Sequence, residues 1–171
     1  AIDGRTGRQI WHYQRTLPDG LKVCCGLVNR GFAVLGDRLF MVTLDAHFVA
    51  LAMKTGKVIY DIEMAAVKDG FAATGAPLVI KDKVIVGVAG GEYGIRGFIA
   101  AYDAATGREM WRFNTIPGPG EPGHETWEGD SWKTGGAPVW ITGSYDPSLN
   151  LMYWGVGNPG QIADFLMRMG R

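Results

Sequence analysis

One phrase returns three times along this chain and limits what the chain can fold into. Ala1-Ile-Asp-Gly-Arg-Thr-Gly-Arg-Gln-Ile-Trp11, Ala50-Leu-Ala-Met-Lys-Thr-Gly-Lys-Val-Ile-Tyr60 and Ala101-Tyr-Asp-Ala-Ala-Thr-Gly-Arg-Glu-Met-Trp111 share one frame. Their Thr-Gly pairs stand at 6–7, 55–56 and 106–107, so the period is 49 and then 51 residues. Units repeated at such a spacing bury their apolar faces by stacking on neighbours, and a propeller blade of four strands takes about 40–50 residues. Within the phrase the Asp opens a turn and the Gly supplies a backbone conformation that other residues resist. The ring four positions later begins an outer strand, where it can wedge between blades. The middle copy is degenerate, with Ala52 for the Asp and Tyr60 for the Trp.

The segments between the phrases read as short strands. Phe32-Ala-Val-Leu, a Gly36-Asp37 turn, Arg38-Leu-Phe-Met-Val-Thr-Leu and Phe48-Val-Ala-Leu make one set. Gly75-Ala-Pro-Leu-Val-Ile, Lys81-Asp82, Lys83-Val-Ile-Val-Gly-Val, Gly97-Phe-Ile-Ala-Ala-Tyr and Glu109-Met-Trp-Arg-Phe repeat the order. Twenty-six glycines with six Trp and six Tyr among 171 residues fit many turns between aromatic-rich strands. The predicted class is therefore all-β, a β-propeller represented by about three to four blades over residues 1–160. A fourth unit opens at Pro138-Val-Trp-Ile-Thr-Gly and runs through Tyr145 to Asn158. So few blades cannot close a ring, and only closure removes exposed edges, so the chain is expected to be a fragment. Residues 161–171 fit no blade and form an atypical tail, with helical spacing at Ile162, Phe165 and Leu166.

Charge excludes more than it suggests. Seventeen basic and seventeen acidic residues give no net charge and no footprint for nucleic acid. No run of about 18 apolar residues is present, so no membrane-spanning segment is expected. Ala1-Ile-Asp-Gly4 is neither an initiator Met nor a signal peptide, so the natural N-terminus is expected upstream.

Three features could carry chemistry. The two cysteines, Cys24 and Cys25, are adjacent. They read either as two small buried residues or as a vicinal disulfide. The second would span about 3.8 Å between Cα atoms, against the usual 4.4–6.8 Å or so, and would need a rigid setting and an oxidising compartment. The second feature is Val88-Ala-Gly-Gly-Glu-Tyr-Gly-Ile-Arg-Gly97, where Glu92 sits among glycines at the end of an apolar run. Read blandly it is a glycine-rich hairpin with an exposed carboxylate; read sharply, the glycines let a ligand approach the backbone and the carboxylate meets a cation. No helical pattern follows, so it is not a dinucleotide fingerprint. The third is Thr134-Gly-Gly-Ala-Pro-Val-Trp140 with Asn158, where Trp140 could be core and Asn158 a turn residue. His12, His47 and His124 lack ligand spacing, and no Gly-x-Ser-x-Gly motif occurs.

In this order and on this repeat, the three features resemble the methanol/ethanol dehydrogenase family that uses pyrroloquinoline quinone (PQQ). The matching phrases are Cys24-Cys-Gly-Leu-Val-Asn-Arg30, Thr74-Gly-Ala-Pro77, Gly90-Gly-Glu-Tyr-Gly-Ile-Arg-Gly97, Trp132-Lys-Thr-Gly-Gly-Ala-Pro-Val-Trp140 and the run from Tyr145 to Pro159. The resemblance implies an eight-bladed propeller with PQQ near its axis. It implies a Cys24–Cys25 disulfide on one face of the quinone and Trp140 on the other, with Arg30 bonding the quinone oxygens. Thr74 and the backbone near Gly90 and Gly91 would hold the carboxylates, and Glu92 and Asn158 would be oxygen ligands of Ca²⁺ or a lanthanide. The reaction implied is oxidation of a small alcohol to an aldehyde by hydride transfer to PQQ, in the periplasm, with a c-type cytochrome as electron acceptor and a homodimer as one assembly of the full-length form.

By the same resemblance no catalytic residue lies in this chain. The general-base Asp is expected beyond Arg171 and another cofactor-holding Glu before Ala1, so the chain alone is expected to be inactive. Two departures bear on cofactor contacts: Ala89 stands where some members have a Ser, and Pro138 where some have a Thr. The competing reading is a non-catalytic propeller scaffold of the outer-membrane assembly type, which has no use for a vicinal disulfide beside a quinone. A sugar dehydrogenase of related fold would keep PQQ but not the cysteine pair.

Overall fold

Each long repeat folds as a four-stranded antiparallel meander. The computed structural model describes residues 1–160; the tail from 161 to 171, with its helically spaced Ile162, Phe165 and Leu166, lies outside the described residues. The first sheet contains β1 (Ala33–Leu35), β2 (Arg38–Val42), β3 (His47–Ala52) and β4 (Val58–Glu63), paired in chain order. The second contains β5 (Leu78–Ile80), β6 (Lys83–Gly87), β7 (Phe98–Asp103) and β8 (Glu109–Asn114), again in chain order. A smaller hairpin follows, β9 (Ser144–Asp146) with β10 (Leu151–Tyr153). The all-β propeller architecture read from the repeat is the one observed.

The two sheets match in detail. Phe40, Ala50 and Tyr60 lie across one another in the first, and Ile85, Ala101 and Trp111 do so in the second. In both, the pairing of the third and fourth strands shifts at the same place, between Ala50 and Leu51 and between Ala101 and Tyr102. Such a bulge bends the strand and increases its twist, as a blade's outer strand requires. Side chains alternate across each strand, so one face of the first sheet (Phe40, Val42, Phe48, Ala50) meets one face of the second (Val84, Val86, Phe98, Ala100, Tyr102). Phe48 sits at the centre, 5.0 Å from the ring of Tyr102, 5.6 Å from Tyr60 and 6.0 Å from Phe40. The opposite face of the second sheet buries Ile85, Ile99 and Ala101 against Trp111 and Trp154.

The repeated phrase ties one blade to the next. The glycines at 7, 56 and 107 all adopt left-handed backbone, with φ of 71°, 71° and 75°. The Trp11 ring lies on Gly56, where a Cβ would sit 2.4 Å from it, and the Tyr60 ring lies on Gly107, where a Cβ would sit 2.9 Å away. The same rings reach the carbonyl three residues before each glycine: Trp11 Nε1 donates to Met53 at 2.9 Å and the Tyr60 hydroxyl to Ala104 at 3.2 Å. The wedge expected between blades is thus a ring seated on the next repeat's turn. Asp3 and Asp103 open their turns by accepting amide hydrogen bonds from the residues that follow. The middle copy, with Ala52, keeps the turn through Thr55 and Gly56 amides bonded to the Ala52 carbonyl.

Two boundaries differ from the sequence reading. Strand β2 stops at Val42 because Thr43, Asp45 and Ala46 make the turn, Thr43 N–H donating to His47 and Ala46 adopting φ 58°. The segment Pro138–Ile141, expected to open the fourth blade, is not a strand. Its backbone is spent elsewhere: Val139 N–H donates to Val88 at 2.8 Å and the Pro138 carbonyl accepts from Gly157 at 2.7 Å. No helix among the described residues is long and apolar enough to cross a membrane.

Candidate functional site

A cleft of about 210 Å³ opens where the loops of both blades meet the returning segment. Cys24, Cys25, Arg30, Thr74, Gly90, Glu92, Trp140 and Asn158 all line it. Residues spread over 135 positions of sequence are thereby brought into one place. Gly91, the remaining residue singled out in the sequence, is buried and packs beneath Pro138, where a Cβ would lie 2.8 Å from the proline ring.

The loop bearing the cysteines is held at both ends. On the N-terminal side, Arg15 Nε donates to Asp45 at 2.8 and 2.9 Å, and Arg15 Nη1 pairs with Asp61 at 2.6 Å. His47 Nδ1 meets the other oxygen of Asp61 at 2.6 Å. Burial alone would push the Asp45 carboxyl up, but hydrogen bonds from Arg15 and Thr43 and the Arg15 charge hold it below the usual carboxylate range. Burial works against the Arg15 charge as well, and the bonds to Asp45 and Asp61 more than offset it. On the C-terminal side, Asn29 Nδ2 donates to the Val42 carbonyl at 2.9 Å while its oxygen accepts from Gly31 at 2.8 Å. Between these anchors Cys24 and Cys25 form a disulfide across a trans peptide, with 3.8 Å between their Cα atoms. Among the described residues no cysteine is free, which decides between the two readings of the pair.

Arg30 and Thr74 form one unit with Trp140. The Arg30 amide donates to the Thr74 carbonyl at 3.0 Å, and its guanidinium carbon stands 4.8 Å from the centre of the Trp140 ring. The Thr74 hydroxyl donates to the Trp140 carbonyl at 3.2 Å. Ala89, beside Gly90, exchanges both backbone hydrogen bonds with Ala72, at 2.7 and 3.0 Å. Gly90 is required where it stands: its φ is 114°, and a Cβ would lie 2.0 Å from the Gly70 carbonyl oxygen.

Glu92 and Asn158 are drawn together by a ladder of glycine backbone. Gly97 N–H donates to Gly136 at 2.8 Å, Gly136 N–H to Ile95 at 2.8 Å, and Gly160 N–H to Gly135 at 2.6 Å. Ala137 N–H then donates to the Asn158 carbonyl at 3.0 Å. The segments bearing Glu92, Trp140 and Asn158 thus lie side by side. Glu92 is exposed in the cleft and makes no hydrogen bond or ion pair among the described residues. Asn158 donates from Nδ2 to the Pro159 carbonyl at 2.9 Å, which leaves its amide oxygen as an acceptor. A free carboxylate and an amide oxygen in one cleft are the donor types a hard cation takes. Among the described residues no cluster of three His, Cys, Asp or Glu could hold a metal by itself.

Several contributors carry no signal in the sequence. Tyr93 and Leu44 line the cleft but look like ordinary strand and loop residues. The partners Arg15, Asp45 and Asp61 are far apart in the chain and share no motif.

Blades stacked by rings on glycine turns, closing around a cleft with a vicinal disulfide, define a β-propeller of the quinoprotein class. The chain belongs to the family described as PQQ: glucose/ethanol/alcohol dehydrogenase, beta-propeller domain, whose model matches residues 1–166. It is 43% identical over 176 residues to the quinoprotein alcohol dehydrogenase PedH of Pseudomonas putida, covering 93% of this chain and 29% of that protein. It is 44% identical over 156 residues to the lanthanide-dependent methanol dehydrogenase of Methylacidiphilum fumariolicum, covering 80% of this chain and 25% of that protein. The quinohemoprotein alcohol dehydrogenase ADHIIG of Pseudomonas putida superposes with a TM-score of 0.81 at 40% identity, over 92% of this chain and 25% of that one. BamB of Moraxella catarrhalis superposes over 91% of this chain and 39% of that one at a TM-score of 0.60 and 16% identity, a likeness of fold alone. The chain therefore spans between a quarter and a third of the length of the curated relatives named here.

Proposed function

We propose that this chain supplies one side of the cofactor and metal site of a quinoprotein alcohol dehydrogenase that oxidises small alcohols to aldehydes. The observation that carries the proposal is the convergence of the Cys24–Cys25 disulfide, Trp140, Glu92 and Asn158 on one cleft. When bound, PQQ would supply the electron-accepting chemistry for hydride transfer from the alcohol carbon.

The chain's own residues do the rest of what is proposed here. The disulfide and the Trp140 ring act as two slabs for a planar ring system, and the anchors at Arg15 and Asn29 keep the disulfide slab in place. Arg30, its guanidinium over the Trp140 ring, offers a planar, permanently charged set of donors suited to oxygens that gain negative charge on reduction. The Thr74 hydroxyl and the backbone at Gly90 and Gly91 are the groups proposed to meet the carboxylates. Glu92 and Asn158 would hold the cation, Ca²⁺ or a lanthanide. Two oxygens fall short of the six to eight or so that Ca²⁺ takes, so the remainder would come from the cofactor and from groups outside this chain. The base that takes the alcohol proton is likewise proposed to lie outside it, and residues 1–171 alone are proposed to be inactive. A periplasmic location accords with the disulfide, which persists in oxidising compartments. A c-type cytochrome is the proposed electron acceptor, in keeping with relatives named quinohemoproteins.

The test is to express the protein as its gene encodes it, load it with PQQ and either Ca²⁺ or a lanthanide, and follow alcohol-dependent reduction of a dye. Turnover with primary alcohols is expected. Tight PQQ binding without turnover of any alcohol would refute the proposed reaction, and failure to bind PQQ would refute the site.

A further inference from the structure

Thr115 lies outside the cleft and outside every phrase that points to the cofactor, yet it touches the segment on which the cleft depends. It follows β8, and its amide donates to the Gly97 carbonyl at 2.9 Å. Its hydroxyl donates to the Ala137 carbonyl at 2.6 Å. Ala137 is one of few non-glycine residues with left-handed backbone among the described residues, at φ 50°, a conformation that a residue with a Cβ resists. That conformation turns the Ala137 amide toward the Asn158 carbonyl, which it meets at 3.0 Å. There is no slack around this hydrogen bond, because a Cβ at Gly97 would clash with the Ala137 oxygen and lie 2.6 Å from the Thr115 hydroxyl. The two peptide groups that flank Ala137 are thus both tied, the following one to Thr115 at its oxygen and the preceding one to Asn158 at its nitrogen.

We infer that Thr115 is a positioning residue for the metal: its hydroxyl fixes the Ala137 carbonyl, and with it the left-handed turn at Ala137 whose amide holds the backbone of Asn158. The inference rests on the proposed role of Asn158 as a metal ligand. Groups that orient a metal ligand typically account for about 10–100-fold in metal affinity. The hydroxyl, not the bulk of the side chain, is the active part. Thr115→Val keeps the shape and removes the donor, whereas Thr115→Ser keeps the donor and removes the methyl.

The experiment measures the dissociation constant of Tb³⁺, by luminescence, and of Ca²⁺, by competition, in the gene-encoded protein loaded with PQQ. Wild type is compared with T115V, T115S and N158A. N158A and T115V are both expected to weaken metal binding at least tenfold, with T115S within about threefold of wild type. Thermal midpoints measured without metal separate this from general loosening, since T115S and T115V are expected to differ in metal affinity far more than in midpoint. If N158A weakens binding and T115V does not, the inference about Thr115 fails while the ligand assignment stands. If T115V and T115S weaken binding equally, packing and not the hydroxyl is responsible, and the inference fails. If N158A leaves the affinity unchanged, Asn158 is not a ligand and the inference falls with that assignment.

Discussion

At the scale of single residues, the cleft shows which departures from the family pattern carry consequences. Ala89 lines it beside Gly90, with both of its backbone groups already paired to Ala72, so only its side chain remains to meet a ligand. A hydroxyl there would add a donor without disturbing the backbone. Ala89→Ser is therefore expected to tighten PQQ binding by about 1 kcal/mol, roughly fivefold, in a titration followed by calorimetry. Unchanged or weaker binding would mean that the cofactor does not lie against Ala89. Pro138 is different, since it fills the space over both Gly91 and Gly157 and its replacement would open that packing. The residues proposed to meet the ligand are legible in the sequence because their types are unusual in context: paired cysteines, a carboxylate among glycines, a Trp after Gly-Gly. Those that hold them were not. Arg15, Asn29 and Thr115 act through carbonyls and carboxylates distant in the chain, and no local pattern marks a residue whose partner only folding supplies.

At the scale of elements, the phrase that recurs with its Thr-Gly pair is a device for joining blades. A turn held at positive φ offers a flat glycine surface, and the ring from the preceding repeat covers it while bonding a carbonyl of the same turn. The degenerate middle copy keeps this function because Tyr60 replaces the Trp with another ring that carries a donor. Burial raises the Tyr60 hydroxyl to about 12, above the ordinary tyrosine value. A group whose folded pKa is raised stabilises fully below its unfolded value, near 10, and that contribution is lost as pH rises through 12 or so. Tyr60→Phe is expected to cost about 1 kcal/mol at neutral pH and to be less sensitive to alkali than wild type between about pH 10 and 12. Urea midpoints across that range check both, and parallel alkaline losses in the two proteins would show that Tyr60 is not the group responsible. Strand positions were legible from their apolar runs and turn residues, because each blade repeats one register. The Pro138–Ile141 segment, expected to open the fourth blade, lies outside the sheets because its backbone bonds to Val88 and Gly157 beneath the cleft.

At the scale of the whole molecule, the cleft belongs to no single blade. Its cysteine loop is anchored on the first sheet, Gly90 and Glu92 follow the end of β6, and Trp140 and Asn158 arrive on the segment that leaves the second sheet and returns. The sheets themselves are packed through Phe48 and Tyr102, neither of which lines the cleft. Stability should therefore be divided: the sheet cores depend on packing, and the glycine ladder, which buries few side chains, depends on what the cleft holds. Metal at a hundred times its dissociation constant stabilises the state that binds it by about 2.7 kcal/mol. Chelation should remove that amount, and most of the loss should appear locally, because segments open independently when few apolar contacts bind them. Hydrogen exchange on the PQQ-loaded protein, with and without chelator, is expected to speed at 91–97, 135–140 and 157–160 and to change little in β2, β3, β6 and β7. Equal acceleration in the strands would show that metal supports the fold as a whole, and no acceleration in the ladder would show that the metal is not held there.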